Sequence, residues 1–115
     1  MRRGGENISG FEMERSFAAH PDIEEVAVHA VFSDLSEDEV KVTAILRNDS
    51  DLTEEALCRW AIDRVPYYAV PCFIEFRETL PRSPVGRILK YKLRDDGVTA
   101  TTWDRIIAGV TFDKR

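Results

Sequence analysis

Apolar residues recur along this chain at two different spacings, and the switches between them mark its elements. Met13 and Phe17 stand four apart with Ala18 beside them, which suits a short amphipathic helix over about residues 11–20. His20-Pro21-Asp22 ends it, because proline disfavours helical backbone in the residue before it; His20 reads as a helix-end residue rather than a catalyst. The spacing then shortens to two. Val26, Val28 and Ala30 alternate with Ala27, His29 and Val31, and later Val40, Val42, Ala44 and Leu46 alternate with Lys41, Thr43, Ile45 and Arg47. Both runs predict half-buried strands, antiparallel neighbours because the connection between them is short. The acidic cluster Ser36-Glu37-Asp38-Glu39 between them reads as a solvated loop.

After the turn cluster Asn48-Asp49-Ser50-Asp51, Thr53 followed by Glu54 and Glu55 starts a second helix. The threonine caps an orphan amide and the carboxylates favour the positive end of the helix dipole. Leu57, Trp60, Ala61 and Val65 define its apolar face, where a tryptophan is more often core than part of a cofactor site. Pro66 and Pro71 bracket an extended connector. Cys72 to Arg77 alternates again as a third strand, and a proline- and glycine-bearing loop from Pro81 to Gly86 leads into a basic helix from about Leu89 to Arg94. Beyond Asp95-Asp96-Gly97 the periodicity is weak, predicting an irregular or partly helical tail. The expected architecture is α+β: a small, mainly antiparallel sheet of about three strands plus a short hairpin, against two to three helices.

Composition narrows the chemistry. The chain has 115 residues, enough for one domain and little spare interior. A net charge of -5 argues against general nucleic-acid binding, which needs a basic footprint. Cys58 and Cys72 sit in apolar surroundings and read as buried free thiols in a reducing cytoplasm, and the two histidines fit no metal-ligand spacing. No apolar run approaches membrane-spanning length and no signal peptide is visible, so a cytoplasmic location is expected.

The catalytic inventory is thin. There is no GxxxxGK[ST] phosphate loop and no nucleophile elbow, and Glu12 and Glu14 do not share one helix face, reading instead as a solvated pair. Two stretches stand apart. Adjacent Gly4 and Gly5 in Arg3-Gly4-Gly5-Glu6-Asn7-Ile8 let backbone turn sharply or run close to a ligand. In Leu80-Pro81-Arg82-Ser83-Pro84-Val85-Gly86-Arg87, the residues Pro81, Pro84 and Gly86 stiffen a loop presenting Arg87, and rigidity is what a positioned charge needs. Composition alone favours the plainer reading, a solvent-exposed hairpin with ordinary surface arginines.

Taken in order, these stretches resemble the C-terminal domain of AMP-forming acyl-CoA synthetases over about residues 1–98, leaving 99–115 as a tail. Arg3 to Ile8 through Glu12-Met13-Glu14 is similar to the family's glycine motif and its E-[IV]-E helix start. His20-Pro21 with Ile23-Glu24-Glu25-Val26-Ala27-Val28 resembles HP-x-V-x-[ED]-[AV]-A-V. Val65 to Pro71 resembles LPxYMVP, and Leu80 to Ile88 resembles LPRTPTGKI. The Gly-Gly-Glu-Asn wording and Trp103-Asp104 look most like the crotonobetaine/carnitine–CoA ligase-like branch.

The resemblance implies two half-reactions: a carboxylic acid attacks ATP to give an acyl-adenylate and pyrophosphate, and the CoA thiol then displaces AMP to give the thioester. The small domain rotates between them as a lid. It presents a loop lysine in the first pose and its glycine motif, along the pantetheine tunnel, in the second. Carried over, Arg87 holds the lysine's place, Gly4, Gly5, Glu6 and Asn7 hold the tunnel-facing loop, and Pro81, Pro84 and Gly86 position the loop. Arginine there is a departure, being a bulkier planar fork than lysine. The partner so implied is an N-terminal adenylation domain, with a hinge expected just upstream of Met1. That domain supplies the ATP and Mg2+ sites and the acid pocket, and CoA and the acyl-adenylate sit at the interface. The lid alone is expected to hold no cofactor or metal and to be catalytically inert. The alternative is a free-standing, non-catalytic binding or interaction module derived from such a lid.

Overall fold

A computed structural model of the chain describes residues 2–3, 6–7, 9–32 and 38–112. Two-residue strands β1 (Arg2–Arg3) and β2 (Glu6–Asn7) form a small antiparallel ribbon. There follow α1 (Gly10–Ala18), β3 (Ile23–Phe32), β4 (Asp38–Leu46), α2 (Glu54–Ile62), β5 (Phe73–Phe76), α3 (Lys90–Asp96), β6 (Trp103–Asp104) and α4 (Arg105–Ala108). The main sheet runs β3-β4-β5-β6, with antiparallel pairs on the outside and a parallel β4–β5 pair at the centre. Helix α2 makes the crossover that parallel neighbours require.

Local sequence accounts for the helix starts. Ser9 caps α1 by accepting from the Glu12 amide at 3.2 Å, and Thr53 caps α2 by accepting from Ala56 at 3.1 Å. One sheet face, with Val28, Val40, Val42, Ala44 and Ile74, meets Met13 and Phe17 of α1 and Leu57, Cys58 and Ala61 of α2. This is the main core. His20 follows the end of α1, where its Nδ1 accepts the Asp22 amide at 3.0 Å and its ring stands edge-on to Trp60. The connector expected to be extended instead folds Tyr67–Ala69 into one 3-10 turn, burying Ala69 and Val70. Cys58 and Cys72 are both buried, and burial pushes the Cys58 thiol up to about 11.

Strand β4 is covered on both faces rather than half-buried. Helix α3 and the loop before it cover the second face, where Ala27, Ile45, Leu80 and Leu93 form a smaller apolar cluster. Among them lie buried polar groups: His29, Lys41, Thr43 and Glu75. Lys41, fully buried, donates to Glu75 Oε1 and to the Gly97 carbonyl, each at 2.7 Å. Glu75 also accepts from Arg77 Nε at 2.9 Å and Thr101 Oγ1 at 2.9 Å, and Arg77 reaches Asp96 at 3.2 Å. Burial alone would push the Glu75 carboxyl up, but hydrogen bonds from Arg77, Lys41 and Thr101 outweigh that and hold it at about 2.

The stretch beyond residue 98, expected to be irregular or partly helical, supplies β6 and the single-turn α4. Strand β6 pairs Asp104 with Phe73 and Trp103 with Ile74. Asp104 then caps α4, and Val110 enters the main core. A two-residue strand leaves no periodicity to detect, which is why the sequence did not announce it. The acidic cluster is not loop throughout: β4 already begins at Asp38, paired with Phe32.

His29 gives this face a measurable acid sensitivity. Its Nε2 lies 3.1 Å from Thr43 Oγ1, and burial, aided by the charges of Lys41, Arg94 and Lys90, pulls its pKa from 6.5 to about 4. The unfolded chain therefore binds the extra proton first as pH falls. Stability should be full above pH ~6.5 and decline until pH ~4, by about 3 kcal/mol at ~1.4 kcal/mol per pH unit. Urea unfolding at pH 7 and pH 5 checks this: His29→Gln should flatten that slope, and an unchanged slope would assign it elsewhere.

Candidate functional site

The segment from Leu80 to Ile88 folds as a tight hairpin. Arg82 and Ile88 form an isolated antiparallel bridge, and the Leu89 amide donates to the Pro81 carbonyl at 2.9 Å. At the tip the Gly86 amide donates to the Ser83 carbonyl at 2.9 Å, with Pro84 at the corner, where its fixed φ suits the turn. Gly86 follows at φ +86°, and the Ser83 amide then donates to the Arg87 carbonyl at 2.8 Å. That sequence of a turn and one left-handed residue is a three-residue hairpin loop closed by a bulge. A Cβ at Gly86 would meet nothing within 4 Å, so glycine serves the backbone angle here and not a close approach. The Ser83 hydroxyl adds a bond, accepting the Arg87 amide at 3.2 Å.

Arg87 leaves this frame exposed, beside the bare apolar tip residue Val85. The basic residues on either side of it in sequence, Arg82 and Lys90, are paired. Arg82 pairs with Glu25 of β3, Lys90 with Glu14 of α1 at 2.5 Å, and Arg77 with Glu75 and Asp96. Of the basic residues from Arg77 to Arg94, Arg87, Lys92 and Arg94 take part in no ion pair among the described residues. Of these, Arg87 stands on the rigid loop and the others on the exposed side of α3. An arginine so placed can approach an anionic group on another body with little reorganisation of its own backbone.

The other sequence-marked residues divide. Pro81, Pro84 and Gly86 lie in the hairpin. Glu6 and Asn7 form β2, opposite Arg3 and Arg2, whereas Gly4 and Gly5 lie outside the described residues. The ribbon runs beside β4, while the hairpin is tied to β3. Glu14, expected to be solvated, instead accepts the Val28 amide of edge strand β3 at 2.9 Å and holds Lys90. The ion-pair roles of Glu14 and Glu25 were not legible in the sequence, because their partners lie far along the chain. A shallow cleft of about 130 Å³ between α1 and the 3-10 turn, lined in part by Glu12, Arg64 and Tyr68, is the sort of opening a surface helix leaves. Among the described residues no three His, Cys, Asp or Glu side chains are placed to hold a metal ion, and no helix is long and apolar enough to cross a membrane.

A small sheet domain of this topology is the architecture of the C-terminal domains of adenylate-forming enzymes. The family model described as "AMP-binding enzyme C-terminal domain" matches residues 12–87, and the chain belongs to that family. It is 35% identical over 94 residues to a crotonobetaine/carnitine–CoA ligase of Salmonella arizonae, covering 82% of this chain and 18% of that protein. In structure it is similar to a Brucella canis acyl-CoA synthetase, with TM-score 0.75 and 29% identity over 81% of this chain and 18% of that one. It is also similar to a Mycobacterium tuberculosis fatty acyl CoA synthetase, with TM-score 0.74 and 28% identity over 82% and 18%. The chain therefore spans less than a fifth of the length of these relatives.

Proposed function

We propose that this chain is the mobile lid of an ATP-dependent, AMP-forming acid–CoA ligase. In the adenylation pose Arg87 enters the site of the large N-terminal domain and offsets negative charge as carboxylate and phosphate approach. In the thioester pose the stretch Gly4-Gly5-Glu6-Asn7 borders the pantetheine arm of CoA. ATP, Mg2+ and the acid are held by the larger domain. The observation that carries the reading is the isolation of Arg87: a free cation on a hairpin fixed by backbone bonds, between two cations already paired. Glycine backbone beside a narrow ligand arm is consistent with the second pose.

The test joins and separates the parts. The isolated chain should release no pyrophosphate in the presence of ATP, Mg2+ and carboxylic acids, including carnitine and crotonobetaine. The intact polypeptide should release it acid-dependently. Turnover by the isolated chain would overturn the reading, as would an intact polypeptide that binds CoA and ATP but forms no adenylate with any acid offered.

A further inference from the structure

A guanidinium can serve two acceptors at once, because its N–H groups diverge at fixed angles. Arg82 does so at the base of the hairpin. Its Nη1 donates to the Gly86 carbonyl at 3.3 Å, and its Nη2 pairs with the Glu25 carboxylate. The first contact grips the peptide unit directly before Arg87. The second anchors that grip to edge strand β3, 57 residues away along the chain. On the far side of Arg87, Lys90 is held at 2.5 Å by Glu14, which is itself fixed by the Val28 amide. The nine residues from 82 to 90 are thus pinned at both ends to carboxylates that lie on or against β3.

We infer that Glu25–Arg82, seconded by Glu14–Lys90, is a positioning brace that sets where the Arg87 side chain leaves the hairpin. The inference rests on the proposed role of Arg87. Arg82 and Glu25 are each about one-third exposed, and a surface pair of that kind stabilises a fold only slightly. Its value lies in direction: a misplacement of about 1 Å at a reacting group can cost on the order of 100-fold in rate.

The test uses Arg82→Ala and Glu25→Ala, each made in this chain and in the intact polypeptide. In the chain, hydrogen exchange at the Gly86 and Arg87 amides should rise about 10-fold with Tm nearly unchanged. In the intact polypeptide, adenylate formation should fall about 10-fold, while thioester formation from supplied adenylate keeps its rate. Arg82→Lys retains a charge for Glu25 without the second arm, and should recover only part of the loss. Unchanged exchange at the tip would overturn the brace whatever the enzyme does. Faster exchange with unaltered adenylation, or equal loss in both half-reactions, would overturn its positioning role. If Arg87→Ala is also without effect, the failure belongs to the proposed function and the brace is left with nothing to position.

Discussion

Replacing Glu75 by leucine should destabilise the domain by about 3–5 kcal/mol, the range for removing one partner of a buried ion pair. The reason is what the change strands. Lys41 is fully buried and has Glu75 and the Gly97 carbonyl as its hydrogen-bond acceptors. Without the carboxylate its ammonium sits in the interior beside a single carbonyl. Lys41→Met should be milder, because Glu75 keeps Arg77 and Thr101. Equilibrium unfolding in urea reads both, and the order matters more than the size: a larger loss for Lys41→Met would mean that the ammonium, not the carboxylate, organises the network. The same groups connect β5 to the segment after α3, so the leucine variant should also loosen residues 97–102.

In the intact polypeptide, Arg87→Ala should slow adenylate formation about 100-fold and leave thioester formation from supplied adenylate within about 2-fold. A preset cation acting on charge that develops only in one step carries a penalty of that order when removed. Arg87→Lys introduces the side chain that the resemblance implies at this position and should match or exceed the parent rate. Lysine is a compact point charge where arginine is a planar fork, so a drop with lysine would show a site reshaped around the guanidinium. Single-turnover measurements of both half-reactions decide it; equal slowing of the two by Arg87→Ala would remove Arg87 from adenylation.

What the sequence made legible follows from periodicity. Strands β3 and β4 could be read because Val26, Val28 and Ala30, and then Val40, Val42, Ala44 and Leu46, fall at every second position, and α1 because Met13 and Phe17 recur at helical spacing. The second buried face could not, because Lys41, Thr43 and Glu75 occupy it and look in sequence like solvent-facing positions. Their burial depends on mutual pairing across three segments, which no local window contains. The site divides in the same way. Pro84 and Gly86 announce the hairpin through backbone restrictions that travel with the residue type. The partners that set its orientation, Glu25 and Glu14, belong to elements on the other side of the fold's core strands in sequence.

Strand β6 has a consequence for where this domain can be cut. It contributes only Trp103 and Asp104, yet they occupy the hydrogen-bonding side of β5 at Phe73 and Ile74. A chain shortened to the span of the family match, which stops at residue 87, would turn β5 into an open sheet border carrying Phe73 and Ile74. Such borders recruit strands from other molecules, and short, charged end strands are one way proteins prevent it. Removing the last few residues of the sheet should therefore promote self-association, an effect separate from the role proposed for the hairpin.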